Sequence, residues 1–553
     1  MKKLFTFFAM AALAIGTMVA NWQPSDTEAI KLDEANASGQ VQMKTLRTDD
    51  GKIILTWLRP EINDGVFAYE LHLQVFDADG NAMLGDEGII VSDKPTRTWT
   101  TDYGFALAPN GDILLAYTDV RNDPEEQVHT DSYIYRYTQQ GVPVWDADGI
   151  LFPFAPIHES TLEVENSAPA ICVSGDNIYF AANHSEYYME EANEDNWQPS
   201  PWFPNQQMPD SVVVNGSEWV FFVMNQDGSF AVEESMTLDS KMMVMTPASN
   251  GKIYLIYDNE NLGLDGQLLN AALQNVWENP VLVEERSLSG GQYMPTPMTE
   301  VDENGVLLLS YRAMASFYGY QVVNFLNENG ECASNAVSLT GHIDGDAGSA
   351  AMGVKEDRAC VAWDWAYSNS EYHMNVNTVD DENNYCWQGD NTYGISLDMN
   401  DVWGFTPVKV IPAEDGWVIL YGNSTSWNGA TFMVVKIDES GNELWRKQIC
   451  EDEFKSSGFS VTYDENNAYI FYTQDEEYDD NWDVIPGSGG MFVMCVDIKG
   501  KQTAVNEVQT NAEIVTTEIY TIDGRRVEQM EDGVNIIRTI DANGNVTTTK
   551  VLK

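Results

Sequence analysis

Six carboxylates crowd one stretch of the chain, "QDEEYDDNWD" (Gln474–Asp483): Asp475, Glu476, Glu477, Asp479, Asp480 and Asp483. Oxygen donors at this density are what calcium takes. Asp475, Glu477, Asp479 and Asp480 are therefore a candidate calcium set, with a solvated acidic loop as the alternative. A second group is aromatic. The segment "NWQPSPWFPNQQMP" (Asn196–Pro209) has the Pro, Asn and Gln of a loop, yet it carries Trp197, Trp202 and Phe203. Exposed rings stack on sugar faces or on apolar side chains of a partner; folded down, the same rings would make a lid. A third group is cationic. Arg59, Arg121 and Arg312 each stand just past an apolar run, and an arginine fork grips carboxylate or sulfate through two bonds. Pairing with neighbouring Asp and Glu is the alternative.

Familiar catalytic signatures are missing: there is no GxSxG, no HExxH and no phosphate-binding P-loop. His72, His129, His158, His184, His342 and His373 are dispersed, which argues against a histidine metal centre. "DADG" at Asp77–Gly80 and Asp146–Gly149 lacks the later ligands of a calcium loop and reads as a hairpin turn. The six cysteines show no metal-like spacing, and Cys172, Cys360 and Cys495 sit in apolar runs as small buried hydrophobes. With 29 Lys and Arg against 86 Asp and Glu, the net charge is −57. Such a surface repels phosphate backbones and anionic lipid, so nucleic acid is not an expected partner.

The elements that must position these residues recur along the chain. A turn followed by an apolar run appears as "DDGKIILTW" (Asp49–Trp57), "NGDILLAY" (Asn110–Tyr117), "NGKIYLIY" (Asn250–Tyr257) and "EDGWVILY" (Glu414–Tyr421), among eight copies. An alternating strand with a glycine turn, and often a Trp after it, follows most copies, as in "YIYRYTQQGVPVW" (Tyr133–Trp145) and "MVVKIDESGNELW" (Met433–Trp445). The copy around Leu268–Val283 is degenerate. With an apolar segment before and another after, each unit holds four short strands, which is a propeller blade. The predicted fold is all-β: an eight-bladed β-propeller followed by a small C-terminal β-sandwich-like domain. Seven blades is the alternative if the degenerate unit is an insertion. Thr27–Gly39 looks like the last strand of a blade and is expected to close the ring near Gly500–Val508. The pattern resembles repeats of bacterial secreted β-propellers, a resemblance that implies fold and not chemistry.

The two ends of the chain concern destination. Lys2 and Lys3 precede an apolar run, Leu4–Ile15, then small residues and Ala20, which reads as a signal peptide over residues 1–20. About a dozen apolar residues cannot span a bilayer, which needs about 20, and no later segment is long and apolar enough. Residues 21–505 are assigned to the propeller and 506–553 to the tail. In the tail, Tyr520, Gly524, Arg525 and Val527 are followed by Gly533, Val534 and Ile536, and then by Lys550 to Leu552. This order resembles the C-terminal sorting domain of the type IX (Por) secretion system of Bacteroidetes, with Asn535 where that family usually has Tyr. The resemblance implies handling by the type IX machinery and a secreted or outer-membrane surface location. The expected function is binding of an extracellular glycan or protein ligand through loops on one face. The alternative is a carbohydrate-active enzyme, a glycoside hydrolase or polysaccharide lyase, which would need two positioned carboxyl groups.

Overall fold

In the computed structural model, the described residues are Trp22, Pro24, Ser25, 29–33, 41–500 and 514–552. Short interruptions break the last two ranges, the longest of them at 475–489. The chain divides into two compact units at Lys499–Gly500. The first is a β-propeller of eight four-stranded antiparallel sheets.

Each blade runs in simple order from an inner strand to an outer one. Blade 1 is Val41–Arg47, Ile53–Asn63, Val66–Phe76 and Ile89–Ser92. The second strand of each blade is apolar on both sides because each side meets a different neighbour. In blade 1, Ile53, Leu55 and Trp57 pack toward blade 8, while Ile54 and Leu58 pack toward blade 2. Eight buried clusters result, one in each seam between consecutive blades. The degenerate fourth unit is a complete blade: Met243–Pro247, Ile253–Asp258, Leu264–Leu269 and Val281–Glu284. This excludes the seven-bladed alternative.

The repeated glycine turn has a defined mechanism. Asp77 Oδ1 accepts the backbone N–H groups of Asp79 (3.0 Å) and Asn81 (2.8 Å), and Gly80 N–H returns to the Asp77 carbonyl. Asn327 and Asp438 repeat the bonds to residues two and four ahead. The "DADG" at Asp77 is such a turn. Gly228, Gly330 and Gly441 take positive φ here, which glycine accepts without cost. They also receive the Trp of the preceding blade: a Cβ at Gly228 would stand 3.0 Å from the Trp145 ring. That Trp then clasps the turn. Trp145 Nε1 donates to the Gln226 carbonyl (3.3 Å), Trp277 to Glu328 (2.9 Å) and Trp387 to Glu439 (3.0 Å). At the blade 3–4 seam the two volumes are exchanged. Val232 stands at the Trp position, and Leu273, at φ 57°, replaces the glycine and fills the space.

The N-terminal segment completes blade 8. Ile30–Asp33 is its outer strand, paired with Gly490–Asp497, so that Ile30 faces Val493. The partner lies ahead of the expected Gly500–Val508, because an outer strand pairs with the third strand of its blade and that strand ends at Asp497. Trp22 supplies the clasp as well: its Nε1 donates to the Asp77 carbonyl of blade 1 (3.4 Å), and its ring packs edge-on against Phe76 and Tyr469. The five cysteines whose side chains are described are unpaired thiols. Burial pushes Cys172 and Cys495 up to about 12, so they behave as apolar filler. Replacing a buried Trp by Ala costs about 3–5 kcal/mol. Trp22→Ala should therefore lower the unfolding free energy by about that much, read from urea melts followed by intrinsic fluorescence.

Candidate functional site

Inner strands start, and second strands end, at the same end of the ring: Lys44 faces Thr56, Met243 faces Tyr257 and Met298 faces Ser310. The hairpins between second and third strands leave from this end, and they carry most of the residues singled out by type.

Blade 3 departs most from the common pattern there. Its second strand, Asn177–Glu191, and third strand, Ser211–Met224, pair continuously from Ile178↔Met224 to Glu191↔Ser211. Inner-strand pairing stops at Glu163↔Tyr187, so residues beyond Tyr187 project as a two-stranded ribbon. Met189 and Val213 face each other on it, 48% and 58% exposed. At its tip Phe203 is 70% exposed, and Trp197 is half-buried, its N–H bonded to the Asn193 carbonyl. Trp202 lies outside the described residues, as do Asp475, Glu477, Asp479 and Asp480 of the acidic segment. No trio of His, Cys, Asp or Glu side chains arranged to hold a metal occurs among the described residues.

The arginines are held on their own blades. Arg121 forks onto Asp119, with Nε–Oδ1 at 2.9 Å and Nη2–Oδ2 at 2.6 Å. It also donates to Tyr135 Oη and the Asp148 carbonyl, and it lies 3.6 Å over the Tyr133 ring. Burial raises the Asp119 carboxyl, and the Arg121 fork opposes that rise. Arg312 lies over Gly319, where a Cβ would collide with its guanidinium. Arg59 is half-buried and opposite Glu70. Arg121 thus works as an internal strut. Removing one partner of such a buried pair costs about 3–5 kcal/mol, so Arg121→Met should destabilise by that order in chemical denaturation.

Three histidines at this end pair with a glutamate two residues away. His72 meets Glu70 (3.0 Å) and stacks on Trp57, and His373 meets Glu371 (3.2 Å). His184 bonds Glu186 (3.0 Å) and Asn166 (2.6 Å) beneath the Phe154 ring. At 2% exposure, and with both ring nitrogens occupied, His184 is structural.

Two features of this end were not anticipated from residue type. One is a cavity of about 430 Å³ on the axial side of the inner strands, reached by Lys44 of blade 1, Tyr103 and Phe105 of blade 2, and Lys241 and Met242 of blade 4. The other is Asp364, in the second strand of blade 6, Arg358–Tyr367. Its carboxylate packs against Gly348 and Gly404, where any Cβ would come within 3.0 Å, and it accepts the Phe405 N–H (3.3 Å). Burial without a cation pushes it up to about 6. A readable signal existed: "AWDWA" places one charge inside an otherwise apolar strand.

The sign of the Asp364 effect follows from proton linkage. The folded state holds its proton more tightly than the unfolded chain, so stability falls as pH rises from about 4 to about 6 and is flat above. At about 1.4 kcal/mol per pH unit, and discounted for partial exposure, the loss is on the order of 2 kcal/mol. Asp364→Asn should exceed the parent in stability at pH 7.5 by that order, the gap closing toward pH 4, as urea midpoints would show.

The second unit is described by one sheet. Its strands are Ile514–Thr521, Arg526–Val527, Val534–Asp541 and Val546–Leu552, with the first between the second and third. Tyr520 faces Arg526 and Ile519 faces Val527. Glu518 gathers the Tyr520 hydroxyl (3.1 Å), Arg526 (3.1 Å) and Arg538 (3.3 Å). Arg525 is exposed and Lys550 pairs with Ile536. Gly524 and Gly533 lie outside the described residues.

No known protein-family profile matches the chain, and no curated protein matches it in sequence. Solved structures do match in shape. A puromycin hydrolase superposes with a TM-score of 0.36 at 12% identity, over 83% of this chain and 62% of that one. An acylaminoacyl peptidase from Pyrococcus horikoshii gives 0.35 at 8% identity, over 80% and 58%. A glycosyl hydrolase from Bacteroides ovatus gives 0.27 at 11% identity, over 60% and 85%. Such values carry no argument about activity.

Proposed function

We propose that this chain is an exported β-propeller that binds an extracellular glycan or protein ligand at the end of the ring from which the blade 3 ribbon projects. The observation that carries the reading is Phe203, 70% exposed at the tip of a ribbon with no strand beside it among the described residues. An apolar ring held in water gains by stacking on a sugar face or a partner side chain. Phe203→Ala should abolish or weaken by about tenfold any hit found on a glycan array or in a surface-protein pull-down, a change of about 1.4 kcal/mol. Unchanged binding to every hit would remove the ribbon from the reading.

The lysine-led apolar run at the N-terminus and the Tyr520-to-Lys550 motif series support export by a type IX route, to the medium or the outer-membrane surface. Deleting residues 513–553 should leave the protein inside the cell envelope on fractionation. Normal surface delivery of the truncated chain would refute the sorting role.

A second reading, a carbohydrate-active enzyme, has one observation in its favour: Asp364, a carboxyl able to hold or release a proton near pH 6 at the same end of the ring. In that case, reducing-sugar release from an array hit should appear and be lost in Asp364→Asn. Release that survives this substitution would exclude Asp364 as the acid.

A further inference from the structure

We infer that the outer edge of the blade 3 ribbon is a strand-addition site. It takes an extended segment of a partner protein, with an alternating apolar and polar centre and a lysine or arginine at each end. This rests on the reading of the ribbon as the ligand contact, but it uses the ribbon's edge where that reading uses its tip. The third strand of blade 3, Ser211–Met224, is longer than the outer strand that covers it, Met236–Leu238. Outer pairing reaches only to Trp219↔Leu238. Ser211–Glu218 is therefore paired on one side, with His184–Glu191, and open on the other among the described residues.

The direction of the backbone groups follows from two bonds. The Tyr187 carbonyl accepts the Leu162 N–H (2.8 Å) on the side of the inner strand. It points away from Asn215, its opposite residue, and in an antiparallel ladder Asn215 then points away from Tyr187. Residues two apart share that direction. The Val223 carbonyl, in step with Asn215, accepts the Ala231 N–H (2.7 Å) from the outer side. Ser211, Val213, Asn215 and Ser217 thus turn N–H and C=O outward, and their side chains are exposed. Folded proteins shorten such an edge or charge it. Other blades of this ring do so: the outer strands Ile150–Leu151 and Val337–Ser338 have 2 residues each, and the long Glu443–Phe454 carries Glu443, Arg446 and Lys447. Ser211–Ser217 has neither charge nor proline.

Charge and face select the occupant. Asp210 and Glu218 bracket the neutral stretch. A second copy laid antiparallel on this edge, with Val214 on the two-fold axis, would use every outward group but set Glu218 against Asp210 at both ends. Like charges directly opposite oppose such pairing. A segment with Lys or Arg at those places meets an acid at each end instead, in a chain of net charge −57. Between the ends, Val212 and Val214 lie on the half-buried face and favour apolar neighbours, while Ser211, Asn215 and Ser217 on the exposed face favour polar ones.

The test uses the full-length protein and fluorescence anisotropy of a labelled peptide, Lys-Thr-Val-Thr-Val-Thr-Val-Thr-Lys. It should bind, and added salt should weaken it. Methylating the amide nitrogens of the Thr residues, or replacing both Lys by Glu, should each weaken binding at least about tenfold. Val213→Pro should do the same while leaving the fold intact, because an edge strand accepts proline where its N–H faces solvent. If Val213→Pro does not fold, the double variant Asp210→Lys, Glu218→Lys decides: it should come to prefer the Glu-ended peptide. Phe203→Ala should leave peptide binding unchanged. Loss of binding in Phe203→Ala with none in Val213→Pro would keep the tip and remove the edge. Absence of peptide binding, indifference to N-methylation, no change of preference in the double variant, or a dimer on sedimentation that Val213→Pro dissolves would each overturn the assignment.

Discussion

A sheet with two apolar faces needs two neighbours, and that need organises the whole first unit. The run Ile53–Leu58 sends alternate side chains into two different seams, and so does Val418–Tyr421 in blade 7. A row of such sheets leaves a wet apolar face at either end unless it closes on itself. The ring removes both ends at once, but only if blade 8 is completed, and the residues that complete it come from the other end of the sequence. Trp22, Leu32 and Val493 share one cluster with Ile53 and Phe76. Remove that seam and the two flanking blades expose the faces that define them.

Much of this was legible in the residues. The apolar run after the Asn-Gly and Asp-Gly turns marked a doubly buried strand, and the glycine followed by Trp marked the hairpin turn, while the bond of that Trp to the turn of the next blade came only from the structure. Where the pattern weakened, the reason is steric. Val232 and Leu273 look like two unrelated departures in sequence, yet they are one exchange of volume across a seam. The "DADG" at Asp77 was separable from a metal loop because the later ligands of such a loop are missing and it sits where a hairpin turn belongs; the structure adds the backbone donors two and four residues ahead that its carboxylate accepts.

The site was far less legible, for a physical reason. Lys44 and Lys241 belong to blades 1 and 4 and share no local pattern; only the curvature of the ring brings them to one cavity. Arg121 misleads in the opposite direction. Its type and position suggest ligand capture, but Asp119, two residues earlier, occupies its fork. Charge in this molecule is therefore sorted by place. Acids dominate overall, and cations such as Arg121 serve as struts.

The position of Trp22 also sets an order of events. It precedes every blade in the sequence, yet its partners include Tyr469 and Phe471 of blade 8. Closing a loop of that length is entropically slow to reach. Until Ile30–Asp33 docks on blade 8, Gly490–Asp497 has an open edge, and until blade 8 packs against it blade 1 has an open face, both prone to pairing with the wrong chain. The ring thus has a latest step built into its connectivity, and a propeller cut short before blade 8 would have nothing for its first tryptophan to hold.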